Sequence, residues 1–403
     1  MRRDTREMAA NTTADASPPT MSRRQVLTAL PALLLAPSAL ASAQAAQAGA
    51  AAGQQLRLRG INHVTLSVSD VAKSVDFYQG LFGMPVISRQ GPIVNLQIGT
   101  GPHFLSIAPA GTSKPSISKL GLGVEDFNTE RAMAVLSQYG VSAADASAGP
   151  TLGAPLRMRA QKRGPEAGGA KDGTPELFFT DPDAILVQLQ DPRYNGGAGP
   201  LGSIATPTPS PKKGVLALRG WSHLTIFGSD GARSNKFYQD VFGMRIQAYQ
   251  GTPPTAPVMG MGGGGVEFLM FAGGGGGRGR GGPGAPGGPG GPGRAAGAAA
   301  TPAPATPALP AAPSGRIDHL CWNMDGFKTD TIIAALEGYG IKPRGTGGAG
   351  PLVHYITTRM PNRGGAPEGT AELYFTDPDG LSMQLQDTTY CGGAGLLGEI
   401  CKV

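Results

Sequence analysis

The sequence contains one strand–turn–strand pattern twice, and this repeat constrains the fold more than any other feature. Residues 175–191 read PELFFTDPDAILVQLQD, and residues 371–387 read AELYFTDPDGLSMQLQD. Asp-Pro-Asp-Gly favours a tight turn, because proline presets φ and glycine accepts positive φ. In the strand after the turn, apolar and polar residues alternate. One face of that strand should therefore pack on helices, while the other lines a polar space.

The sequence around the two patterns also repeats in the same order. His63 in GINHVT matches His223 in GWSHLT at an offset of 160 (223 − 63), whereas Leu120 matches Leu320 at an offset of 200 (320 − 120). Independent matches in one order indicate an internal duplication. The change of offset places an insertion in the second copy, and the Gly/Pro/Ala tract at 273–313 fits that place.

Each copy predicts two successive β-α-β-β-β units. In the first copy, residues 60–68 alternate as a strand does, Asp70 offers an N-cap oxygen, and Gly83 is placed to end the helix between them. Three short strands follow this helix, and a second, weaker unit of the same plan begins near Lys119. The sequence therefore predicts an α+β fold of two tandem modules.

The first 43 residues predict a signal peptide. From Met21 they contain a charged segment with two arginines, a short apolar run and an Ala-Ser-Ala site. The Ser-Arg-Arg-x-Val-Leu pattern resembles a twin-arginine signal, and an ordinary secretory signal is the alternative. Because the apolar run is short and contains proline, it should not cross a bilayer stably. The prediction is a periplasmic or secreted protein with no membrane insertion after cleavage.

Composition separates the folded segments from the connecting ones. Tracts rich in Ala and Gln, or in Gly, Pro, Ser and Thr, do not bury a core. The predicted division is a signal peptide at 1–43, a tether at 44–56, module 1 at 57–192, a linker at 193–214, module 2 at 215–390 with a disordered insertion at 273–313, and a tail at 391–403.

Charge and cysteine content exclude some classes of function. The formal net charge is +6, but the basic residues are scattered, which argues against binding of nucleic acid. An odd count of three cysteines does not make a disulfide framework. Cys391 and Cys401 either pair in an oxidising compartment or remain free thiols in the tail.

Three polar residues of the second copy should lie on one face of its sheet. His223, His319 and Gln384 each alternate with apolar neighbours, so each lies on the face away from the helices. Two histidines and one oxygen ligand suit a facial triad for Fe(II), Mn(II) or another divalent metal. Glu267 is a candidate fourth oxygen ligand, although an edge-strand glutamate is more often solvated.

Each candidate also has a structural interpretation. A strand histidine is often a hydrogen-bonded structural residue, and a glutamine can simply line a polar cup. His354 and Tyr355, on the strand before the repeated pattern, are candidates for acid/base work, although His354 equally suits a surface position.

The first copy departs from the second at one of these positions. Lys119 stands where His319 would be, and an ammonium group opposes a divalent cation. His103 would replace it if Phe104 faces the core. We interpret the first site as degenerate, with a structural or substrate-shaping role.

These residues carry a resemblance to a family. His63 and His223 on the opening strands, Phe-Tyr and Phe-Gly-Met in and after the helices, and Tyr-Phe-Thr-Asp-Pro-Asp-Gly before the last strand resemble the vicinal oxygen chelate superfamily. That family includes glyoxalases, bleomycin-resistance proteins, fosfomycin-resistance enzymes and extradiol dioxygenases. The resemblance implies paired βαβββ units that form a cupped mixed sheet, with helices outside, around a divalent metal ion.

The resemblance also implies a ligand set, from which this sequence departs once. The tandem arrangement is similar to extradiol dioxygenases, which implies His, His and Glu at positions 223, 319 and 384, whereas Gln384 occupies the third. A neutral amide leaves more positive charge on the metal and implies weaker affinity. Gln ligands are known in the glyoxalase branch. Fe(II) or Mn(II) is favoured, with Zn or Ni as the alternatives.

The sequence therefore predicts an exported, metal-dependent enzyme acting on a small molecule with vicinal oxygens. An extradiol-like dioxygenase is the leading interpretation. The alternatives are a glyoxalase-like lyase or isomerase, and a non-catalytic binding protein of the bleomycin-resistance type. The predicted partner is a small-molecule substrate, and the sequence also allows a homo-oligomer.

Overall fold

The computed structural model describes residues 54–262, 265–273, 315–346 and 350–401. The predicted signal peptide lies outside this range, and so does the predicted insertion apart from Gly273. Among the helices in the described ranges, none is both long and apolar enough to cross a membrane.

The first copy folds into one sheet with two helices. The strand order is β2-β3-β4-β1-β5-β9-β8-β7-β6, and the sheet is mixed because β1 is parallel to β4 and antiparallel to β5. The elements are β1 (Leu58–Val68), α1 (Val71–Phe82), β2 (Val86–Gln90), β3 (Ile93–Gln97), β4 (Phe104–Pro109), β5 (Ser116–Val124), α2 (Thr129–Gln138), β6 (Ser142–Ala143), β7 (Arg157–Arg163), β8 (Thr174–Thr180) and β9 (Leu186–Gln190).

The second copy repeats this topology. Its strand order is β11-β12-β13-β10-β14-β18-β17-β16-β15. The elements are β10 (Gly220–Phe227), α3 (Gly231–Phe242), β11 (Arg245–Gln250), β12 (Ala256–Gly260), β13 (Phe268–Ala272), β14 (Arg316–Met324), α4 (Thr329–Gly338), β15 (Lys342–Pro343), β16 (Val353–Arg359), β17 (Thr370–Thr376) and β18 (Ser382–Asp387). The predicted α+β fold of two modules is confirmed.

The ends of the first helix in each module follow from local sequence. Asp70 caps α1 by accepting a hydrogen bond from the Lys73 backbone N–H at 3.0 Å. Gly83 ends the helix in the left-handed region at φ 67°, where a glycine has no steric penalty. Asp230 and Gly243 do the same for α3.

The helices lie between the two sheets and share one apolar core. The Phe82 ring of α1 lies 5.4 Å from Trp322 of β14, and Phe179 of β8 lies 6.1 Å from Phe242 of α3. Buried apolar residues of both modules form one continuous cluster. The helices are therefore outside the cups, as predicted, and α1 and α3 each pack against the partner module. The face of each sheet that points away from the helices is termed the cup face.

The repeated Asp-Pro-Asp turns tie the modules together reciprocally. Asp183, in the turn of module 1, accepts hydrogen bonds from the Ser229 N–H (2.8 Å) and the Ser234 hydroxyl (2.6 Å) at the start of α3. Asp379, in the turn of module 2, accepts from the Ser69 N–H (2.9 Å) just before α1. A carboxylate at a helix N-terminus satisfies free N–H groups and interacts favourably with the helix dipole.

Segments predicted to connect or trail the modules are parts of the fold. Leu56, in the predicted tether, is fully buried, and its N–H donates to the Val241 carbonyl at 2.9 Å. Thr208, in the predicted linker, pairs with Val86 on the edge strand β2. In the predicted tail, Cys391 and Cys401 form a disulfide, and the Cys391 carbonyl accepts a hydrogen bond from Gln247 Nε2 of β11 at 2.8 Å. The tether, the linker and the tail therefore each contact a module.

The turns of the two modules differ in one residue that controls backbone strain. Ala184 has φ 62°, whereas Gly380 occupies the equivalent place at φ 77°. Ala184→Gly should raise the free energy of unfolding by roughly 0.5–1 kcal/mol, because the left-handed strain that it removes exceeds the entropy that glycine loses. Urea denaturation would measure this. Gly380→Ala is the matched control and should lower stability by a similar amount; destabilisation by Ala184→Gly would contradict the argument.

Candidate functional site

One row of paired residues crosses the cup face of module 2. Each residue lies directly opposite the next on the neighbouring strand, so their side chains are close neighbours. In strand order the row is Phe268, His223, Cys321, Gln384, Tyr374 and Tyr355. His319 lies in the adjacent row, paired with Thr225 and Ser382. The structure therefore brings the predicted ligands His223, His319 and Gln384 to one face.

A β-bulge in β14 adds an acidic residue to this site. Thr225 pairs with His319 and Ile226 pairs with Ile317, so Asp318 has no partner on β10. Bulges of this kind redirect a side chain, and Asp318 lines the cavity beside His319. Its Oδ2 lies 3.1 Å from His319 Nδ1 and accepts the proton on that nitrogen. This contact leaves His319 Nε2 as the atom with a free lone pair.

His223 is held in a similar way. Its ring stacks on Phe268 with centroids 4.3 Å apart, and its Nδ1 lies 3.1 Å from Ser222 Oγ. Burial, followed by the nearby His319, lowers the pKa of His223 well below its usual value. The imidazole is therefore neutral at pH 7, which is the form that binds metals. The two imidazole rings lie 5.6 Å apart.

Gln384 has the least satisfied side chain of this group. It is 1% exposed, and neither its Oε1 nor its Nε2 makes a hydrogen bond of good geometry in the described part of the chain. It lies close enough to His223 to raise the pKa of that imidazole, against the larger effect of burial. Burying an unpaired polar group costs about 1–3 kcal/mol. An orphaned amide oxygen beside two imidazoles fits a bound cation, because such a ligand would satisfy the oxygen.

The cavity at this site encloses about 210 Å³ and has an aromatic wall. Phe227, Phe268, Tyr374 and Tyr390 contribute to that wall. Glu372 also lines the cavity, but Arg359 Nε donates to its Oε1 at 2.8 Å and the Thr357 hydroxyl donates to its Oε2 at 3.0 Å. The Glu372 charge is therefore already balanced.

The ligand set therefore depends on Gln384. Over the described ranges, no group of three or more His, Cys, Asp or Glu side chains is arranged to hold a metal ion. His223 and His319 supply two imidazoles, and Asp318 is engaged with His319 Nδ1, so a metal ion held here would need the amide oxygen as its third ligand.

The equivalent row of module 1 contains its own cation. Lys119 Nζ donates to Gln188 Oε1 at 2.6 Å, and His63 Nε2 lies 3.2 Å from the same oxygen. Burial lowers the pKa of Lys119 to about 8, so the ammonium form still predominates at pH 7. In module 1 the glutamine oxygen therefore faces an internal positive charge, whereas in module 2 the equivalent oxygen lies near two histidines and no lysine.

Glu267 is not a ligand, contrary to the prediction. Its carboxylate lies on the side of β13 that faces module 1, where Oε2 accepts a hydrogen bond from the Ile61 N–H at 2.6 Å. Phe268 faces the cup, and successive strand residues point to opposite faces, so Glu267 points away. His103 precedes Phe104 in the same way, and Phe104 stacks on His63. Phe104 therefore faces the cup, and the condition under which His103 would replace the missing ligand is not met.

His354 is not a catalytic candidate either. Its Nε2 lies 3.1 Å from Glu337 on α4, so the side chain faces the helices. The equivalent residue of module 1, Met158, belongs to the apolar core. Tyr355 does lie on the cup face, where it stacks on Tyr374 at 5.0 Å.

Tyr374 is a site residue that the sequence analysis missed. Its ring contacts His319 edge-on at 5.3 Å, and it lines the cavity. Burial, with the nearby Glu372, raises the pKa of Tyr374 well above its usual value, so the hydroxyl stays protonated. The equivalent residue in module 1 is Phe178. A hydroxyl present only in the second copy was a signal available in the sequence.

Comparison with known proteins identifies the same two segments. The family model described as "Glyoxalase/Bleomycin resistance protein/Dioxygenase superfamily" matches residues 60–189 and 220–385. A catechol 2,3-dioxygenase structure is 13% identical, with 84% of this chain and 93% of that chain covered, at a TM-score of 0.49. A variant of homoprotocatechuate 2,3-dioxygenase from Brevibacterium fuscum is 16% identical, with 85% and 76% covered, at a TM-score of 0.50. At these identities the likeness concerns the fold alone.

The position of Glu267 predicts a pH dependence of stability. Burial raises its pKa from 4.5 to about 7, so the folded state binds a proton more tightly than the unfolded state. The contribution of Glu267 to stability therefore falls as pH rises from about 4.5 to about 7. Glu267→Gln keeps an acceptor for Ile61 and should be more stable than wild type at pH 8 by about 1–3 kcal/mol, with little difference at pH 4. Thermal unfolding at both pH values tests this, and equal stability at pH 8 would contradict it.

Proposed function

Because the chain belongs to the Glyoxalase/Bleomycin resistance protein/Dioxygenase superfamily, we propose that module 2 is a metal-dependent enzyme site for a small molecule with vicinal oxygens. His223 and His319 would hold a divalent ion through Nε2, and Gln384 would hold it through Oε1. The observation that carries this proposal is the Gln384 amide, which is buried without a hydrogen-bond partner among the described residues. Module 1 supports it, because there the equivalent oxygen accepts from an ammonium group.

The reaction that we propose is an extradiol-like dioxygenation of an aromatic substrate. A bound divalent ion of this kind polarises chelated oxygens as a Lewis acid. The aromatic wall of the cavity suits a planar ring, and Phe268 and Tyr390 lie against His223. Fe(II) or Mn(II) suits this chemistry, whereas Zn or Ni would favour the glyoxalase-like alternative.

The residues of the chain have separate tasks in this proposal. Asp318 fixes the His319 ring and its tautomer, so that Nε2 is available. The Arg359–Glu372 pair closes one side of the cavity without contributing a free charge. Tyr374 stays protonated, so its hydroxyl donates a hydrogen bond to a substrate oxygen that gains negative charge. Tyr374 replaces His354 as the leading acid/base candidate.

We also propose that the protein is exported. The twin-arginine-like pattern at the N-terminus supports this. The Cys391–Cys401 disulfide supports it as well, because disulfides persist mainly in oxidising compartments. The twin-arginine pathway carries folded proteins, which suits loading of a metal before export.

Metal analysis of matched variants tests the proposed site. The purified protein should contain about one divalent ion per chain, because the site has three ligands. His319→Ala removes one ligand, so this variant should lose the ion. His63→Ala removes the histidine of module 1 that is equivalent to His223, so this variant should keep the ion. Elemental analysis of the three proteins gives the result. Equal metal content in wild type and His319→Ala would contradict the proposal. A non-catalytic binding protein would then be the better interpretation.

Exchanging Lys119 tests why module 1 should differ. Lys119→His gives module 1 the same histidine, histidine and glutamine set, and it removes the ammonium that occupies Gln188 Oε1. We expect metal content to rise toward two ions per chain, since the repelling charge is gone. Lys119→Met removes the charge without adding a ligand and is the control. If Lys119→His binds no more metal than wild type, the charge of Lys119 is not what prevents metal binding in module 1.

A further inference from the structure

The charged side chains that line the cavity of module 2 are not all paired. Asp318 accepts from His319 and from Arg316, the latter at 3.0 Å. Glu372 is balanced by Arg359 in a pair that is almost completely buried. The remaining charged residue of the lining is Arg363.

Arg363 has no internal partner that accounts for its position. It ends the short 3-10 turn Pro361–Arg363 after β16 and is half-buried. Among the described residues, no hydrogen bond or ion pair forms from its guanidinium. Holding a guanidinium at a cavity wall without an anion is unfavourable, since it loses hydration and gains no charge partner. The turn itself does not need it, because the equivalent residue of module 1, at an offset of 196 (363 − 167), is Ala167.

The rest of the wall defines what lies against this cation. Phe227, Phe268 and Met270 are apolar, and Tyr374 presents an aromatic ring. A ligand that fits this wall has a planar apolar body and an anionic group at one end. Carboxylate matches guanidinium best, because two parallel N–H···O bonds form between the planar groups.

We propose that Arg363 is a specificity-determining residue that binds a carboxylate substituent of an aromatic substrate. The inference rests on the proposed function only for the vicinal oxygens of the substrate. The anionic group is inferred from Arg363 alone. The metal ligands and the aromatic wall select a ring with vicinal oxygens, and Arg363 selects those rings that carry a negative charge. Module 1, with Ala167 at this position, lacks that selection.

Two matched pairs of ligands separate these roles in a binding experiment. The first pair is protocatechuate and its primary amide, which differ in charge but share the vicinal oxygens. The second pair is benzoate and benzamide, which differ in charge and lack those oxygens. Calorimetric titration of the full protein with each ligand measures the acid-to-amide preference without requiring turnover.

The proposal predicts a distinct result for each variant. Wild type should prefer each acid over its amide, and Arg363→Gln should weaken binding of the acids by roughly 10- to 100-fold while leaving the amides within about twofold. Arg363→Lys keeps the charge and should retain part of the preference. Arg89→Gln removes an exposed arginine on β2 of module 1 and is the control for net charge. It should leave the affinities for the acids and for the amides unchanged.

The outcomes distinguish this inference from the proposed function. An acid preference that is the same in wild type and Arg363→Gln, or no preference in wild type, would overturn the inference. An Arg363-dependent preference for benzoate, with no gain from the two hydroxyls of protocatechuate, would support the inference and argue against the metal site. Thermal unfolding of Arg363→Gln should match wild type, because the side chain holds no internal hydrogen bond among the described residues.

Discussion

The shared apolar core between the two sheets is the constraint on which the rest of the structure depends. Each sheet has one face covered by helices, and those helices also pack on the other sheet, as Phe82 does on Trp322. Because strand side chains alternate, burying one face in this core assigns every second residue to the cup face. The two cups therefore open away from each other. The turn carboxylates Asp183 and Asp379 add reciprocal hydrogen bonds to the same junction.

The two cups share one topology, and the charge of Lys119 is a main difference between their polar centres. In module 1 the Lys119 ammonium, His63 and Gln188 form a closed hydrogen-bonded group. In module 2 His319 takes the place of Lys119, Asp318 occupies the bulge where module 1 has Ser118, and the glutamine makes no hydrogen bond of good geometry among the described residues. A buried amide oxygen is stabilised by any nearby cation, whether it belongs to the protein or comes from solution. Module 1 thus contains within its own sequence what module 2 would take from outside.

The charges that line the cavity of module 2 also bear on its ligand. Glu372 is balanced by Arg359 and Asp318 by Arg316, so the lining would add little negative charge to offset a divalent ion. In our proposal, a substrate with negative oxygens would balance that ion, and Arg363 would favour a further anionic group at the other end. The lack of free negative charge in the wall therefore favours an anionic ligand as well as a bound cation.

Much of the site was predictable from the alternation of apolar and polar residues along the strands. The wrong predictions have a common cause. His223, His319 and Gln384 each have apolar core residues directly before or after them in the strand, such as Leu224, Leu320 and Leu385, so the face of each candidate ligand was predictable. The strand after Glu267 is apolar on both faces, with Phe268 toward the cup and Leu269 in the core. Period-two reasoning cannot choose a face there. His354 failed for a related reason, because its partner Glu337 comes from a helix that the strand pattern does not include.

The sequence by itself determined the duplication, the βαβββ units, the helix caps and the face on which the three candidate ligands lie. These features depend on local periodicity and on matches between two copies, which a chain carries whatever its tertiary contacts. The tertiary structure alone decided that Glu267 meets Ile61, that Asp318 fixes His319, and that Arg363 reaches the cavity unpaired among the described residues. Those relations join residues from different strands, a bulge and a turn. Their physical basis is which surfaces the shared core buries, and no single stretch of sequence contains that information.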